Sequence, residues 1–222
     1  MGVALTHVLL SLNRKNTQLN LRDFLEMLPN LCLAGMNFHL SGVDEKARDW
    51  SGLNLSGVDF RGAYLKEVHF EESQLDGANL QYADLTEVNL QHADLTEAKL
   101  QNADLSGAEL QNADLWFANL QHADLSRANL QHTNLSGAEL QNADLRRCDL
   151  SWRQLEKLND GGFTGSKITE KDFKDKIYPE WKAETDPKWE ALTKVEKMAV
   201  MKKFHDETGM YILNEREEQI IP

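Results

Sequence analysis

Residues 102–115 read NADLSGAELQNADL, and this stretch decides the fold. A leucine recurs at every fifth position, with an alanine two residues before it. The same spacing runs from Leu55 to Leu150, where every fifth residue is Leu or Phe. A period of five fits neither a helix of about 3.6 residues per turn nor a strand of period two. It therefore predicts a repeated unit that stacks along one axis.

The geometry of one pentad predicts the shape of the stack. Its two apolar residues lie two apart, so both side chains point to the same side of an extended segment. The chain must turn after each leucine, because otherwise the next pentad would direct its leucine outward. Four short edges and four corners then make a square coil. We call each extended edge of the coil a wall and the centre of the stacked coils the axis. Leucine side chains fill the axis, and a compact residue, usually alanine, lies where the wall leaves little room.

The pattern A-(D/N)-L-x-x over residues 53–152 resembles the pentapeptide-repeat family. That resemblance implies a right-handed quadrilateral β-helix, and twenty pentads imply about five coils. At roughly 4.8 Å per coil the rod would be about 24 Å tall. The expected fold class is an all-β solenoid with α-helical flanks.

The N-terminal flank departs from the repeat. Residues 1–30 carry a helical apolar pattern and are expected to cap one end of the solenoid, since its open ends expose backbone groups and core leucines. Residues 31–52 show a broken version of the repeat. They are expected to form an irregular first coil with an inserted loop at residues 44–49.

The C-terminal flank, residues 153–222, is expected to be helical. One helix is predicted over residues 169–177. A longer amphipathic helix is predicted to start at Thr185-Asp186-Pro187 and to end near Gly209. The sequence leaves open whether this last helix packs on its own rod or on another chain.

The charge of the chain is concentrated in the repeat. Residues 53–152 hold sixteen Asp and Glu against six Lys and Arg, a net charge of −10 out of −12 for the whole chain. Such a field repels nucleic acid and attracts basic protein surfaces, and no basic footprint for direct nucleic-acid binding is present. Solubility of an open-ended solenoid is an equally good reason for the charge.

The sequence also carries signals about the cellular location of the protein. No run reaches the roughly 18 apolar residues of a membrane span, so no transmembrane segment is expected. Cys148 takes an alanine position, which suits a reduced, buried thiol and a cytoplasmic location. The protein is expected to be bacterial. The start Met1-Gly2-Val3-Ala4-Leu5-Thr6 fits the N-myristoylation pattern, which would matter only in a eukaryotic cell, and the sequence does not decide whether Gly2 is modified.

Residues twenty apart should stack, and this places four carboxylates in one column. The column consists of Asp84, Asp104, Asp124 and Asp144. Three interpretations stay open. The carboxylates accept hydrogen bonds from backbone N–H groups at the corners, they present a line of negative charge to a basic partner, or they bind a divalent cation through oxygen ligands.

One pentad places two large aromatic side chains on the outside of the wall. Trp116 and Phe117 both occupy outward positions, and an exposed aromatic pair on a polar wall has to be covered. Either the C-terminal helix, with Trp189 and Met198, lies over the pair, or the pair is a contact point for a partner protein or a second subunit.

No catalytic constellation is found in the sequence. Phosphate loops, G-x-S-x-G, H-E-x-x-H and C-x-x-C motifs are absent, so we expect no catalytic residues, no metal and no cofactor. The predicted function is a non-catalytic protein–protein interaction module. Its partner is unidentified and expected to have a basic surface, and the chain could also form a homodimer. The predicted partner-binding residues are Trp116, Phe117, Asp84, Asp104, Asp124 and Asp144.

Two alternatives to a plain interaction module remain. Some members of the resembled family mimic DNA and bind a type II topoisomerase, DNA gyrase, and the acidic rod fits that activity. Some secreted bacterial effectors carry such repeats beside a second domain, and the large C-terminal region fits an effector that acts in a host cell.

Overall fold

The computed structural model describes residues 48–155, 157, 162–182, 188–214, 216 and 218–220. The expected N-terminal cap, the Gly2 motif, most of the expected irregular coil and the expected helix start at residues 185–187 lie outside these residues. Among the helices of the described segments, none is long and apolar enough to cross a bilayer.

Residues twenty apart pair along the repeat, so four pentads complete one coil. Asp104 forms parallel bridges with Asp84 and Asp124. The backbone N–H of Leu105 donates to the carbonyl of Asp124 at 2.7 Å. Every Leu and Phe of the five-residue series is buried, and so is the compact residue two positions before each of them. The leucines therefore form one continuous apolar column along the axis.

Each wall segment ends in a tight corner. The carbonyl of Leu105 accepts a hydrogen bond from the N–H of Ala108 at 3.0 Å, as expected of a β-turn. The second corner residue has a positive φ, for example +69° at Gly107 and 54° at Phe117. This left-handed region favours glycine, yet most corners hold a larger residue in it. The hydrogen bonds along the stack hold these residues in place.

Regular stacking begins earlier than the sequence pattern predicts. Asp49 bridges His69, although an inserted loop was expected to include Asp49. Trp50 is buried and packs edge-on against Phe70 with ring centroids 5.4 Å apart. Trp50 thus fills a leucine position in the axis, and the regular wall starts before residue 53.

The other end of the solenoid also extends beyond the predicted boundary at residue 152. A short helix, α1 (Trp152–Leu155), interrupts the wall. The wall then resumes, because the N–H of Leu140 donates to the carbonyl of Gly162 at 2.5 Å. Gly162 lies 22 residues after Leu140, whereas Asp124 lies 19 residues after Leu105. The last coil therefore contains a three-residue insertion.

The C-terminal region adds short elements to this end. They are β1 (Lys167–Thr169), α2 (Glu170–Asp172), a π-helical turn (Phe173–Ile177), α3 (Tyr178–Trp181), a 3₁₀ turn (Trp189–Ala191), α4 (Lys194–Thr208) and β2 (Tyr211–Leu213). Lys167 bridges Asp144, and β1 pairs in parallel with β2. Two further rungs are thus stacked on the wall that carries the four aspartates.

An aromatic cluster forms the core of the C-terminal region. Phe173 lies at its centre, with ring centroids 4.8 Å from Phe204, 5.6 Å from Trp189 and 5.9 Å from Tyr178. Helix α4 contributes Phe204, which is fully buried. Together with β1 and β2, this packing places the described C-terminal residues on the end of their own solenoid.

The long C-terminal helix starts at Lys194, later than the sequence predicts. Leu192 is extended, and Thr193 caps the helix. Thr193 Oγ1 accepts from the N–H of Glu196 at 3.3 Å, and a Glu196 carboxylate oxygen accepts from the N–H of Thr193 at 2.7 Å. The Thr193 hydroxyl also donates to this carboxylate at 2.6 Å, and its bond, followed by that of the Thr193 N–H, lowers the pKa of Glu196. The helix ends at Thr208 with Gly209 in the left-handed conformation, near the predicted position.

The helix predicted over residues 169–177 is longer in the structure. Thr169 is its N-cap, and helical backbone continues without a break from Glu170 to Trp181. Pro179 follows the π-helical turn, in which the N–H of Tyr178 donates to the carbonyl of Phe173, five residues earlier.

Cys148 fills an alanine position in the wall. Its side chain is buried, and the thiol donates to the carbonyl of Leu145 at 2.9 Å. Burial, followed by the charge of Asp172, raises the pKa of the Cys148 thiol.

Candidate functional site

The four aspartates of the predicted column occupy consecutive rungs of one wall. Asp84 bridges Asp104, Asp104 bridges Asp124, and Asp124 bridges Asp144. Each carboxylate accepts a hydrogen bond from the backbone N–H two residues later. These bonds are Thr86 N–H to Asp84 (3.1 Å), Ser106 N–H to Asp104 (2.9 Å), Ser126 N–H to Asp124 (2.8 Å) and Arg146 N–H to Asp144 (3.1 Å).

The same bond is made by asparagine at equivalent positions of other walls. Asn89 accepts from the N–H of Gln91 at 3.1 Å, and Asn134 accepts from the N–H of Ser136 at 3.1 Å. Side chains of Asp and Asn commonly form such turns with their own backbone. The first interpretation of the column, hydrogen bonding at the corners, is therefore present in the structure.

The column is not uniformly negative. Arg146 donates to both carboxylate oxygens of Asp144, with Nε at 2.8 and 2.9 Å, and the next rung beyond Asp144 is Lys167. Within the described part of the chain, no group of three or more His, Cys, Asp or Glu side chains could hold a metal ion. A cation site on this column therefore receives no support from the geometry.

Trp116 and Phe117 form an exposed corner that one complete wall separates from the aspartate column. Their rings meet edge-on, with centroids 4.6 Å apart. The side chains are 43% and 48% exposed. Asp114 fixes the corner by accepting from the N–H of Trp116 at 3.0 Å. We call these two residues the aromatic corner.

A glycine in the next coil seats the ring of Phe117. A Cβ atom added at Gly137 would lie only 2.9 Å from Cε1 of Phe117, and Gly137 itself is buried. The bare backbone of Gly137 thus provides the surface on which the ring lies. The ring of Phe117 is consequently packed against the next coil, although it is 48% exposed.

The predicted cover over the aromatic corner is wrong for the described residues. Trp189 packs against Phe173 and Tyr178 in the C-terminal core, and Met198 is itself 45% exposed. Helix α4 caps the end of the rod and leaves Trp116 and Phe117 open.

The structure does not bring all predicted site residues together. After Phe117 the chain builds one complete wall, Ala118–Leu120, and one corner before it reaches Asp124. A small partner on the aromatic corner would therefore not touch the aspartate column. The two features are separate surfaces.

A third surface feature did not emerge from the sequence motifs. It is the corner next to the aspartate wall, which we call the Gly107 corner. It consists of residue pairs 66–67, 86–87, 106–107, 126–127 and 146–147, stacked twenty apart. An open pocket of about 280 Å³ lies on it, lined among others by Glu87, Gly107, Arg127 and Arg147. Comparing charges at twenty-residue intervals would have revealed it.

The repeat matches a known family model. Residues 54–91, 89–127 and 117–151 match eight copies of a model described as pentapeptide repeats. Proteins with these repeats form right-handed quadrilateral β-helices. Among curated protein sequences, no significant match to the chain is found.

Several solved pentapeptide-repeat proteins are similar to the chain. One from the thylakoid lumen of Arabidopsis thaliana is 30% identical over 46% of this chain and 73% of its own, with a TM-score of 0.32. One from the cyanobacterium Cyanothece 51142 is 27% identical over 60% of this chain and 92% of its own, with a TM-score of 0.35. One from Nostoc PCC 7120 is 28% identical over 60% of this chain and 98% of its own, with a TM-score of 0.39.

Proposed function

The chain belongs to the pentapeptide-repeat family, and from this premise we propose that it is a non-catalytic protein-interaction scaffold whose aromatic corner binds the partner. The observation that carries the proposal is the exposure of Trp116 and Phe117 on an otherwise polar wall. Large aromatic side chains are enriched among the few residues that dominate binding energy at interfaces.

The rigidity of the aromatic corner supports this role. The bond from Trp116 N–H to Asp114 fixes the backbone of the corner, Gly137 seats the ring of Phe117, and the ring of Trp116 packs edge-on against that of Phe117. A surface that is already ordered loses little conformational entropy on binding. An aromatic pair fixed in this way can therefore contribute its buried area to affinity with little cost of ordering.

The surroundings of the aromatic corner indicate the character of the partner. Asp114 lies two residues before Trp116, and Glu97 occupies the same corner position one coil below Phe117. With the net charge of −10 over residues 53–152, this favours a partner with an apolar pocket inside a basic rim. The column from Asp84 to Asp144 would add a long-range attraction to such a surface.

A pull-down from the native cell tests the proposal with two variants. In Trp116→Ala/Phe117→Ala we expect a partner captured by the wild type to be lost, because truncating such residues commonly weakens binding by about 2 kcal/mol or more, roughly thirtyfold. In Asp84→Asn/Asp104→Asn/Asp124→Asn the amide oxygen still accepts the corner N–H while three charges are removed. We expect this variant to fold and to bind more weakly, mainly at low salt.

Equal recovery of every partner by wild type and the Trp116/Phe117 variant would exclude the aromatic corner as the contact. Circular dichroism and thermal unfolding of each variant serve as the folding controls. Weakening only in the aspartate variant would move the contact to the wall of Asp84.

A second candidate function is mimicry of DNA toward a type II topoisomerase. It is favoured by the net charge of the repeat and by the four stacked carboxylates. The Arg146–Asp144 ion pair and the exposed Arg127 and Arg147 weaken it, because they break the negative surface toward one end of the rod. A gyrase supercoiling assay with and without the protein tests this candidate. If a large molar excess of the protein leaves supercoiling unchanged, DNA mimicry toward gyrase is excluded.

A further inference from the structure

The charge of the Gly107 corner reverses along the rod. The second residue of each corner pair is, in consecutive coils, Glu67, Glu87, Gly107, Arg127 and Arg147. The corner also concentrates the basic residues of the repeat: four of the six Lys and Arg of residues 53–152 lie on it. These four are Lys66, Arg127, Arg146 and Arg147. One end of the corner is therefore acidic, the other is basic, and an uncharged glycine marks the centre.

The five second-position residues are neighbouring rungs of one column. The N–H of Glu87 donates to the carbonyl of Ser106 at 3.0 Å, and the N–H of Gly107 donates to that of Ser126 at 2.9 Å. All five residues have a positive φ, between 56° and 69°. They consequently project from the same turn in each coil, spaced by roughly 4.8 Å.

We propose that the Gly107 corner is the contact between two copies of this chain, packed antiparallel about a two-fold axis at Gly107. In such a contact the same patch serves both subunits, and each pair occurs twice. Reversal of one rod brings Glu87 opposite Arg127 of the partner subunit and Glu67 opposite Arg147 of the partner subunit. In this antiparallel arrangement each glutamate of the column faces an arginine. In a parallel arrangement without a shift, each charge would face the same charge on the other chain.

The side chains needed for the central pair are available. Among the described residues, the side-chain charges of Glu87, Arg127 and Arg147 form no ion pair. Glu67 already pairs with Arg48 at 2.6 Å, so the outer pair contributes less.

The centre of the corner is recessed. Gly107 has no side chain, and Ser106 beside it is small, so the open pocket of about 280 Å³ remains there. The Glu87 side chain leans over this recess, with its Cγ 3.4 Å from where a Cβ of Gly107 would lie. A second copy can therefore approach closely enough for Glu87 and Arg127 of the partner subunit to meet.

One kind of like-charge pair is also created, and it too occurs twice. Lys66 comes opposite Arg146 of the partner subunit. The repulsion is reduced because Glu67 lies 3.8 Å from Lys66 and Asp144 binds the Arg146 guanidinium within its own chain. Exposed ion pairs are individually weak, so the dimer should be weak and sensitive to salt, while the charge order fixes its orientation.

Analytical ultracentrifugation of the full chain tests the arrangement. At low ionic strength, with a screening length of about 30 Å, we expect reversible dimers; at about 1 M salt, where it is about 3 Å, we expect monomers. Glu87→Arg alone and Arg127→Glu alone should each weaken self-association at least about tenfold, because each creates two like-charge pairs. Both residues already have the corner backbone conformation, so neither change should disturb the fold.

Mixing the two single variants gives the decisive result. The arginine introduced at position 87 of one chain would then face the glutamate introduced at position 127 of the other. An equimolar mixture should therefore dimerise although neither variant does so alone. A monomeric wild type at low salt, a mixture that stays monomeric, or stronger association of Glu87→Arg would overturn the proposal. Trp116→Ala/Phe117→Ala should dimerise like the wild type, which separates this contact from the aromatic corner.

Discussion

Replacement of Leu105 by alanine is expected to lower the free energy of unfolding by about 3 kcal/mol or more, within the range of roughly 2–5 kcal/mol for buried leucines. Leu105 is 1% exposed and lies in the axis between the leucines twenty residues before and after it. The cost should be high in this range because the cavity cannot collapse. Hydrogen bonds from Leu105 N–H to Asp124 (2.7 Å) and from Asp104 N–H to Ala83 (3.0 Å) fix the wall around it.

Urea unfolding followed by far-ultraviolet circular dichroism measures this loss. Leu105→Met is the matched control, since it keeps the volume and should cost less than about 1.5 kcal/mol. A loss below about 1 kcal/mol in Leu105→Ala would show that this side chain is not enclosed, and the assignment of inward and outward positions would then be wrong.

The inner structure of the rod follows from arithmetic on the sequence. A five-residue period with four pentads per coil assigns each residue to the axis, the wall or a corner, and it assigns each outward residue a neighbour twenty positions away. The stacking of Asp104 on Asp84 and the burial of Cys148 follow from this rule alone. Local chemistry then explains the aspartates, because the short Asp side chain accepts the corner N–H.

The ends of the rod could not be predicted in this way, because they depart from the five-residue period. Trp50 fills an axial position with a residue type outside the Leu/Phe series. The three-residue insertion before Gly162 shifts the register, so the last rungs could not be found by counting. The start of helix α4 was misplaced because Pro187 is a more conspicuous sequence signal than the capping box of Thr193 and Glu196, which in fact begins the helix.

The surface features depended on contacts between distant segments. The cover over the aromatic corner was wrong because Trp189 finds a better apolar environment in the C-terminal cluster around Phe173. No local sequence pattern indicates which of two apolar surfaces a helix will pack against. The Gly107 corner, in contrast, was readable from the sequence, since it needs only the charges at twenty-residue intervals.

Gly137→Ala should destabilise the protein by about 2–3 kcal/mol, through two separable causes. The first is the left-handed backbone at φ 71°, which costs an alanine roughly 1–2 kcal/mol, partly offset by the lower entropy of the unfolded chain. The second is overpacking, because the new Cβ would lie 2.9 Å from Cε1 of Phe117, and such clashes cost about 1–3 kcal/mol.

Gly77→Ala isolates the first cause. Gly77 occupies the same corner column with φ 63°, and a Cβ there would meet nothing within 4 Å. The excess of Gly137→Ala over Gly77→Ala in urea unfolding therefore measures the contact with Phe117. The double variant Gly137→Ala/Phe117→Ala should remove that excess, as a coupling between touching residues. If both glycine variants lost equal stability, the ring of Phe117 would not rest on Gly137, and the aromatic corner would lack the support that makes it a preformed binding surface.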